Sequence, residues 1–162
     1  MAWSLIEFSA EEIIKLATDI EKSGYSFYST LATKLENGNA KVAMQFLADE
    51  EGQHIKDFEA LGVELAKDFA VNENYSGEYK EYIDSLIESH IFNQGDIEAN
   101  LFGKITEAKD ALDVALRFEK DSIMIYQSFL SVVGDKGKAT ISKLIDEERG
   151  HIKKLSLLKR EL

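Results

Sequence analysis

Apolar residues recur at helical spacing in four stretches of the chain. In the first, Ile13, Ile14, Ala17, Ile20, Gly24, Tyr28, Leu31 and Leu35 fall on one face, with Glu21 set among them. Ser9 followed three residues later by Glu12 predicts the capping box of this helix, and Asn37-Gly38-Asn39 predicts its end. A second helix repeats at Met44, Leu47, Ala48, Glu51, His54, Ile55, Phe58 and Leu61 and meets Gly62. A third runs through Leu112, Ala115, Leu116, Glu119, Ile123, Tyr126, Phe129 and Val133 to Gly134. The fourth follows Gly137 with Ile141, Leu144, Ile145, Glu148, His151, Ile152, Leu155 and Leu158. Short turns join the first pair and the second pair, which favours two antiparallel hairpins.

The connection between the hairpins, about 63–106, is too long for a structureless loop in a compact domain. Within it, Tyr79, Tyr82, Ile83, Leu86 and Ile87 predict a helix over 78–92, broken at Gly95-Asp96. The expected architecture is all-α. It is a four-helix bundle of one domain over 1–162, with hairpin one at about 9–62, the crossover, and hairpin two at about 107–160.

Charge and composition narrow the partners. Lys plus Arg is 19 and Asp plus Glu is 30, a net charge of −11, which argues against a nucleic-acid partner. There is no Cys, so disulfides, zinc-thiolate sites and iron–sulfur or rubredoxin-type centres are excluded from these 162 residues. There is no Pro to interrupt a long helix. Residues 1–10 lack the features of a signal peptide, and no apolar run reaches the roughly 18 residues that span a membrane. The expectation is a cytoplasmic protein with no membrane partner.

The hairpins also resemble each other. Ala48-Asp49-Glu50-Glu51-Gly52-Gln53-His54-Ile55-Lys56 matches Ile145-Asp146-Glu147-Glu148-Arg149-Gly150-His151-Ile152-Lys153. Glu21 with Tyr28 seven residues on matches Glu119 with Tyr126. The offset is 98 for the first helices and 97 for the second, so one deletion in the turn accounts for the difference. This internal duplication predicts a pseudo-twofold axis.

Two of the three histidines lie three residues after a Glu, at equivalent places in the repeat. Either alone reads as a surface histidine on a charged helix; the pair reads as ligands. Residues at i and i+3 share a face, so Glu51/His54 and Glu148/His151 each set a carboxylate beside an imidazole. Glu21 and Glu119 interrupt apolar faces. Four carboxylates in one core, with no Lys or Arg among them, would each cost several kcal/mol without partners. Two divalent cations would neutralise them, and a mixed N/O donor set suits iron or manganese.

With these residues the chain resembles the ferritin-like di-iron carboxylate proteins, and most closely their rubrerythrin branch. The resemblance rests on Glu21/Tyr28, Glu51/His54, Glu119/Tyr126 and Glu148/His151, and spans roughly 9–159. It implies two iron ions per chain, with manganese or zinc as substitutes. Glu51 and Glu148 would be bridging carboxylates and Glu21 and Glu119 terminal ones. His54 and His151 would each serve one metal, and Tyr28 and Tyr126 would hold ligand carboxylates. From the residues alone, those tyrosines read equally well as core aromatics.

The sequence departs from the branch in two places. Where rubrerythrins carry a further glutamate near the third-helix ligand, it has Ala115, Leu116, Ser122 and Ile123. It also has no rubredoxin cysteines, so the electron donor would be a separate rubredoxin-like protein. A homodimer is expected. Three functional readings stand: an oxidoreductase acting on hydrogen peroxide or dioxygen, an iron-handling protein with little turnover, and a structural bundle.

Four smaller expectations complete the reading. Glu50 and Glu147, about 100° around the helix from the ligand glutamates, read as solvated surface before support of the ligands. His90, with no counterpart in the repeat, reads as structural or surface. The crossover aromatics Tyr75, Tyr79, Tyr82, Phe92 and Phe102 read as packing against the bundle, with an interface as the competing reading. Gly24 and Ser122, each one turn beyond a terminal glutamate, predict a small pocket for the oxidant, with close helix packing at Gly24 as the competing reading.

Overall fold

The computed structural model describes residues 10–68, 78–93 and 101–162. The described residues form five α-helices and two single-turn 3₁₀ segments, with no strand. Helix α1 spans Ala10–Lys34, α2 Gly38–Asp68, α3 Glu78–Ser89, α4 Ala108–Phe129 and α5 Asp135–Glu161. α1 packs along α2 and α4 along α5, and the two hairpins meet through α1 against α4 and α2 against α5. The result is an all-α, ferritin-like bundle. No helix among the described residues is long and apolar enough to cross a membrane.

The periodic residues form the core as their spacing requires. Ile13, Ala17, Ile20, Tyr28 and Leu31 of α1 are buried, as are Met44, Leu47, Ala48, Phe58 and Leu61 of α2. α4 contributes Leu112, Ala115, Tyr126 and Phe129, and α5 contributes Ile141, Leu144, Ile145 and Leu155.

Helix ends differ from the sequence expectation in four places; α4 stops at Phe129 instead of running through Val133 to Gly134. Gly38 opens α2 because the Asn37 side chain accepts the Ala40 backbone N–H at 2.9 Å and caps the helix. Asn37-Gly38 is therefore a start signal as much as a stop. Gly62 does not end α2, which continues to Asp68. A Cβ there would stand 3.0 Å from Ile14 Cγ2, so this glycine serves the close approach of α1 to α2. α5 begins at Asp135, and Gly137 lies within its first turn. Ser9, of the expected capping box, lies outside the described residues, as do Tyr75, Gly95 and Asp96.

The crossover is pinned to α4. Ile83 and Ile87 of α3 are buried, and the Tyr79 hydroxyl donates to the Ser128 carbonyl at 2.6 Å. The α3 helix stops at Ser89 and gives way to a 3₁₀ turn, Ile91–Asn93. Asp121 of α4 accepts the Ile91 N–H at 3.0 Å and holds that turn down. Phe92 then stacks on Phe118, ring centroids 4.7 Å apart, and meets Phe27 at 5.0 Å.

Candidate metal centre

Four helices deliver six ionisable side chains to one place in the core. Glu21, Glu51, His54, Glu119, Glu148 and His151 are all buried, none more than 3% exposed. They form two groups of four, each with its donor atoms within 4.8 Å of one another. One comprises Glu21, Glu51, His54 and Glu148; the other comprises Glu51, Glu119, Glu148 and His151. Glu51 and Glu148 belong to both, and each group takes one further glutamate and one histidine. This is the pseudo-twofold arrangement that the duplication predicts.

Both histidines turn Nδ1 inward. His54 Nδ1 lies 3.0 Å from Glu148 Oε1, 3.1 Å from Glu51 Oε2 and 3.6 Å from Glu21 Oε2. His151 Nδ1 lies 2.8 Å from Glu148 Oε2 and 3.6 Å from Glu119 Oε1. The rings stack with centroids 5.7 Å apart. Glu119 and Glu21, each in one group only, are each tied by a tyrosine from the opposite hairpin. Tyr28 donates to Glu119 Oε1 at 2.5 Å, and Tyr126 donates to Glu21 Oε1.

Several buried donor atoms nevertheless have no hydrogen bond: Glu21 Oε2, Glu51 Oε1, Glu119 Oε2, Glu148 Oε2 and His151 Nδ1. His151 Nδ1 and Glu148 Oε2 are close in distance, yet neither is oriented to bond the other. Buried polar atoms in a well-packed core are normally satisfied, because leaving one without a partner costs about 1–3 kcal/mol and more for a charged group. Unpaired oxygen and nitrogen atoms converging from four helices fit a cation, and the hard, mixed donor set fits iron or manganese.

Proton affinities record the crowding. Burial, reinforced by the Glu21 and Glu148 charges, raises Glu51 well above the carboxylate range. Burial and the Glu148 charge do the same to Glu119. Burial would also raise Glu148, but the close approach of the His151 and His54 imidazoles outweighs it and holds that carboxyl below its ordinary value. Burial alone would lower His151; Glu119 and Glu148 overcome it and lift the ring to about 10. His54 is raised in the same way, against burial, by Glu148, Glu21 and Glu51. Without metal, protons carried on the histidines and on some of the glutamates therefore offset the negative charge of the remaining carboxylates.

The carboxylates expected to be solvated surface turn out to touch the site. Glu147 Oε2 lies 3.4 Å from His54 Nε2, and Glu50 Oε2 lies 3.7 Å from His151 Nε2. Both are only about a third exposed, at 34% and 39%. Each belongs to the hairpin opposite its histidine. Their offset from the core face of their own helix hides this, because a long side chain reaches a partner across the α2–α5 seam.

The expected oxidant pocket at Gly24 is filled. A Cβ on Gly24 would lie 2.6 Å from Phe118 Cζ, so close packing is the role of this glycine. Ser122, its counterpart, is buried with its Oγ 3.4 Å from His90 Nε2. His90 is fully buried, accepts the Phe92 N–H on Nδ1 at 3.2 Å, and is structural rather than a surface residue. Burial, with help from Arg117, lowers it to about 3 and keeps it neutral.

Of the comparisons with known proteins, one agrees with this geometry. Neither the curated proteins nor the solved structures gave a match. The profile of the rubrerythrin family matches residues 12–100, which cover hairpin one and most of the crossover. That match takes in more than half of the chain and includes Glu21, Tyr28, Glu51 and His54, whose counterparts the duplication supplies in hairpin two. The chain belongs to the rubrerythrin family.

Proposed function

We propose that this chain is a non-haem di-iron oxidoreductase that reduces hydrogen peroxide or dioxygen with electrons from a separate donor protein. The observation that carries the reading is the pair of four-donor groups sharing Glu51 and Glu148. Glu21 and His54 would complete one metal position, and Glu119 and His151 the other. Two ferrous ions held side by side there would supply one electron each to an O–O bond. Glu51 and Glu148 would keep the two positions together, and the four carboxylates would balance the charge of two divalent ions. Tyr28 and Tyr126 fix the orientation of the terminal glutamates, and Glu147 and Glu50 face the outer nitrogens of the histidines. With each ring bound through Nδ1, a hydrogen bond from its outer nitrogen to that carboxylate would raise ligand basicity and hold the ring in place.

A second reading, iron handling with little turnover, is favoured by one observation. No additional carboxylate stands a turn either side of Glu119: Ala115 and Ser122 are buried there, and Ser122 is engaged by His90. Metal analysis of protein purified without oxygen, followed by its absorption spectrum and turnover with peroxide and a reductant, tests both. Two irons per chain with rapid turnover supports the oxidoreductase. Two irons with a single slow oxidation supports iron handling, and a metal-free protein that takes up no iron overturns both.

A further inference from the structure

The duplication allows each residue around the centre to be compared with its twin, and one layer is not symmetric. Phe46 is the counterpart of Lys143, Glu50 of Glu147, and Asp57 of Lys154, all at the offset of 97. Outside His54, Lys143 Nζ lies 3.4 Å from Glu147 Oε1 and 3.7 Å from Asp57 Oδ2. Outside His151, Phe46 presents its ring to the imidazole at 88°, with centroids 6.3 Å apart. Lys154 Nζ sits 3.1 Å above the centroid of that ring. Among the described residues no lysine or arginine ion-pairs with Glu50, whose one ion-pair contact is His151.

From this contrast we infer that the two metal positions are unequal, that the position at His151 binds divalent cations more tightly, and that Lys143 and Phe46 set the difference. The inference rests on the two-metal reading above. When Nδ1 of a histidine binds a metal, its remaining proton is on Nε2 and faces the outer carboxylate. A carboxylate free to accept that proton makes the ring a stronger ligand. Glu50 is free to do so. Glu147 shares its charge with Lys143, which makes it the poorer acceptor and leaves His54 the weaker ligand. Asp57 offsets the lysine charge at a distance but touches neither His54 nor Glu147. Phe46 adds a packing contact that restrains His151 before metal arrives, and the equivalent place beside His54 holds a lysine side chain that is 65% exposed. Lys143 and Phe46 are thus positioning residues acting through Glu147 and His151.

Because the positions share two carboxylates, a two-step isotherm alone would not identify which fills first; the histidines themselves must be read. The full chain, freed of metal and labelled with 15N in histidine, is titrated with Zn2+ alone at low ionic strength, where an exposed lysine acts most strongly. His151 Nδ1 is expected to complete its coordination shift with the first equivalent, His54 with the second, and His90 to stay fixed. Lys143→Gln should strengthen the weaker position about tenfold, so that both histidines shift nearly together. Phe46→Lys, which sets a lysine beside Glu50, should delay His151. Histidines that shift in parallel in the wild-type chain, His54 filling first, or an order untouched by both substitutions would overturn the inference while leaving the two-metal reading intact. Zn2+ that moves neither histidine would overturn that reading itself.

Discussion

Tyr28 donates its phenolic proton to Glu119 Oε1 at 2.5 Å, from the first helix of one hairpin to the first helix of the other. Its twin, Tyr126, does the same to Glu21. Both hydroxyls are completely buried, and burial together with the facing carboxylate raises each well above its ordinary value, so they remain donors at any working pH.

Tyr28→Phe leaves Glu119 Oε1 without its donor. The metal-free protein should lose about 1–3 kcal/mol, the cost of an unsatisfied buried group. Divalent-metal affinity should fall about 10–100-fold, as when any group orienting a ligand is removed. Denaturant unfolding and metal titration check the two effects, and Tyr126→Phe should reproduce both.

The shared and unshared carboxylates should behave differently. Glu148→Ala removes a donor from both groups and should lower the occupancy of both positions. Glu21→Ala removes a donor from one group only and should leave one metal per chain. Elemental analysis after metal loading and desalting distinguishes them. Retention of both metals by the Glu148 variant would reject its shared role.

Stability without metal should fall as pH rises from about 6.5 to about 10. His151 is raised from its ordinary 6.5 to about 10 in the folded chain. A group raised on folding contributes stability that is complete below its unfolded value and is lost as pH climbs through its folded value. Glu51 and Glu119, also raised, act in the same direction, whereas the lowered Glu148 is ionised in both states across this window. Metal binds the deprotonated histidine and the ionised carboxylates, so its stabilising effect should widen over the same interval. Thermal melts of chelator-treated and loaded protein at the two ends decide it.

Gly24→Ala should destabilise the fold by about 1–3 kcal/mol, the range for overpacking a well-filled core. The added Cβ would collide with a buried Phe118 ring that packs against Phe92, Tyr28 and His90. A glycine-to-alanine change inside a helix otherwise stabilises by up to about 1 kcal/mol, so the sign alone is diagnostic in a denaturant titration.

The hairpins and the six clustered side chains were legible in the sequence because each is a matter of spacing along one helix, repeated. A carboxylate and a histidine at i and i+3 must share a face, and the duplication doubled that signal. What depended on the distance between helices was not legible. Gly62 reads as a helix stop until Ile14 is seen pressed against it, and Gly24 reads as empty space until Phe118 is seen to fill it. Glu50 and Glu147 read as outward-facing because periodicity records the angle on one helix and not the reach of a side chain to the next. His90 has no counterpart in the repeat, and its side chain meets Ser122 and Phe118 of α4 and Phe92 of the 3₁₀ turn that follows it.

Every finishing contact at the centre crosses between the hairpins: Tyr28 to Glu119, Tyr126 to Glu21, Glu50 to His151 and Glu147 to His54. One hairpin alone supplies a glutamate shared by both donor groups, a glutamate of one group and a histidine, but none of the groups from the other hairpin that contact them. Two identical hairpins facing each other across a true twofold axis would supply them all. The arrangement therefore does not require a continuous polypeptide: a symmetric pair of half-length chains could build it. Joining both halves in one chain allows them to differ, as Lys143 and Phe46 do at equivalent places.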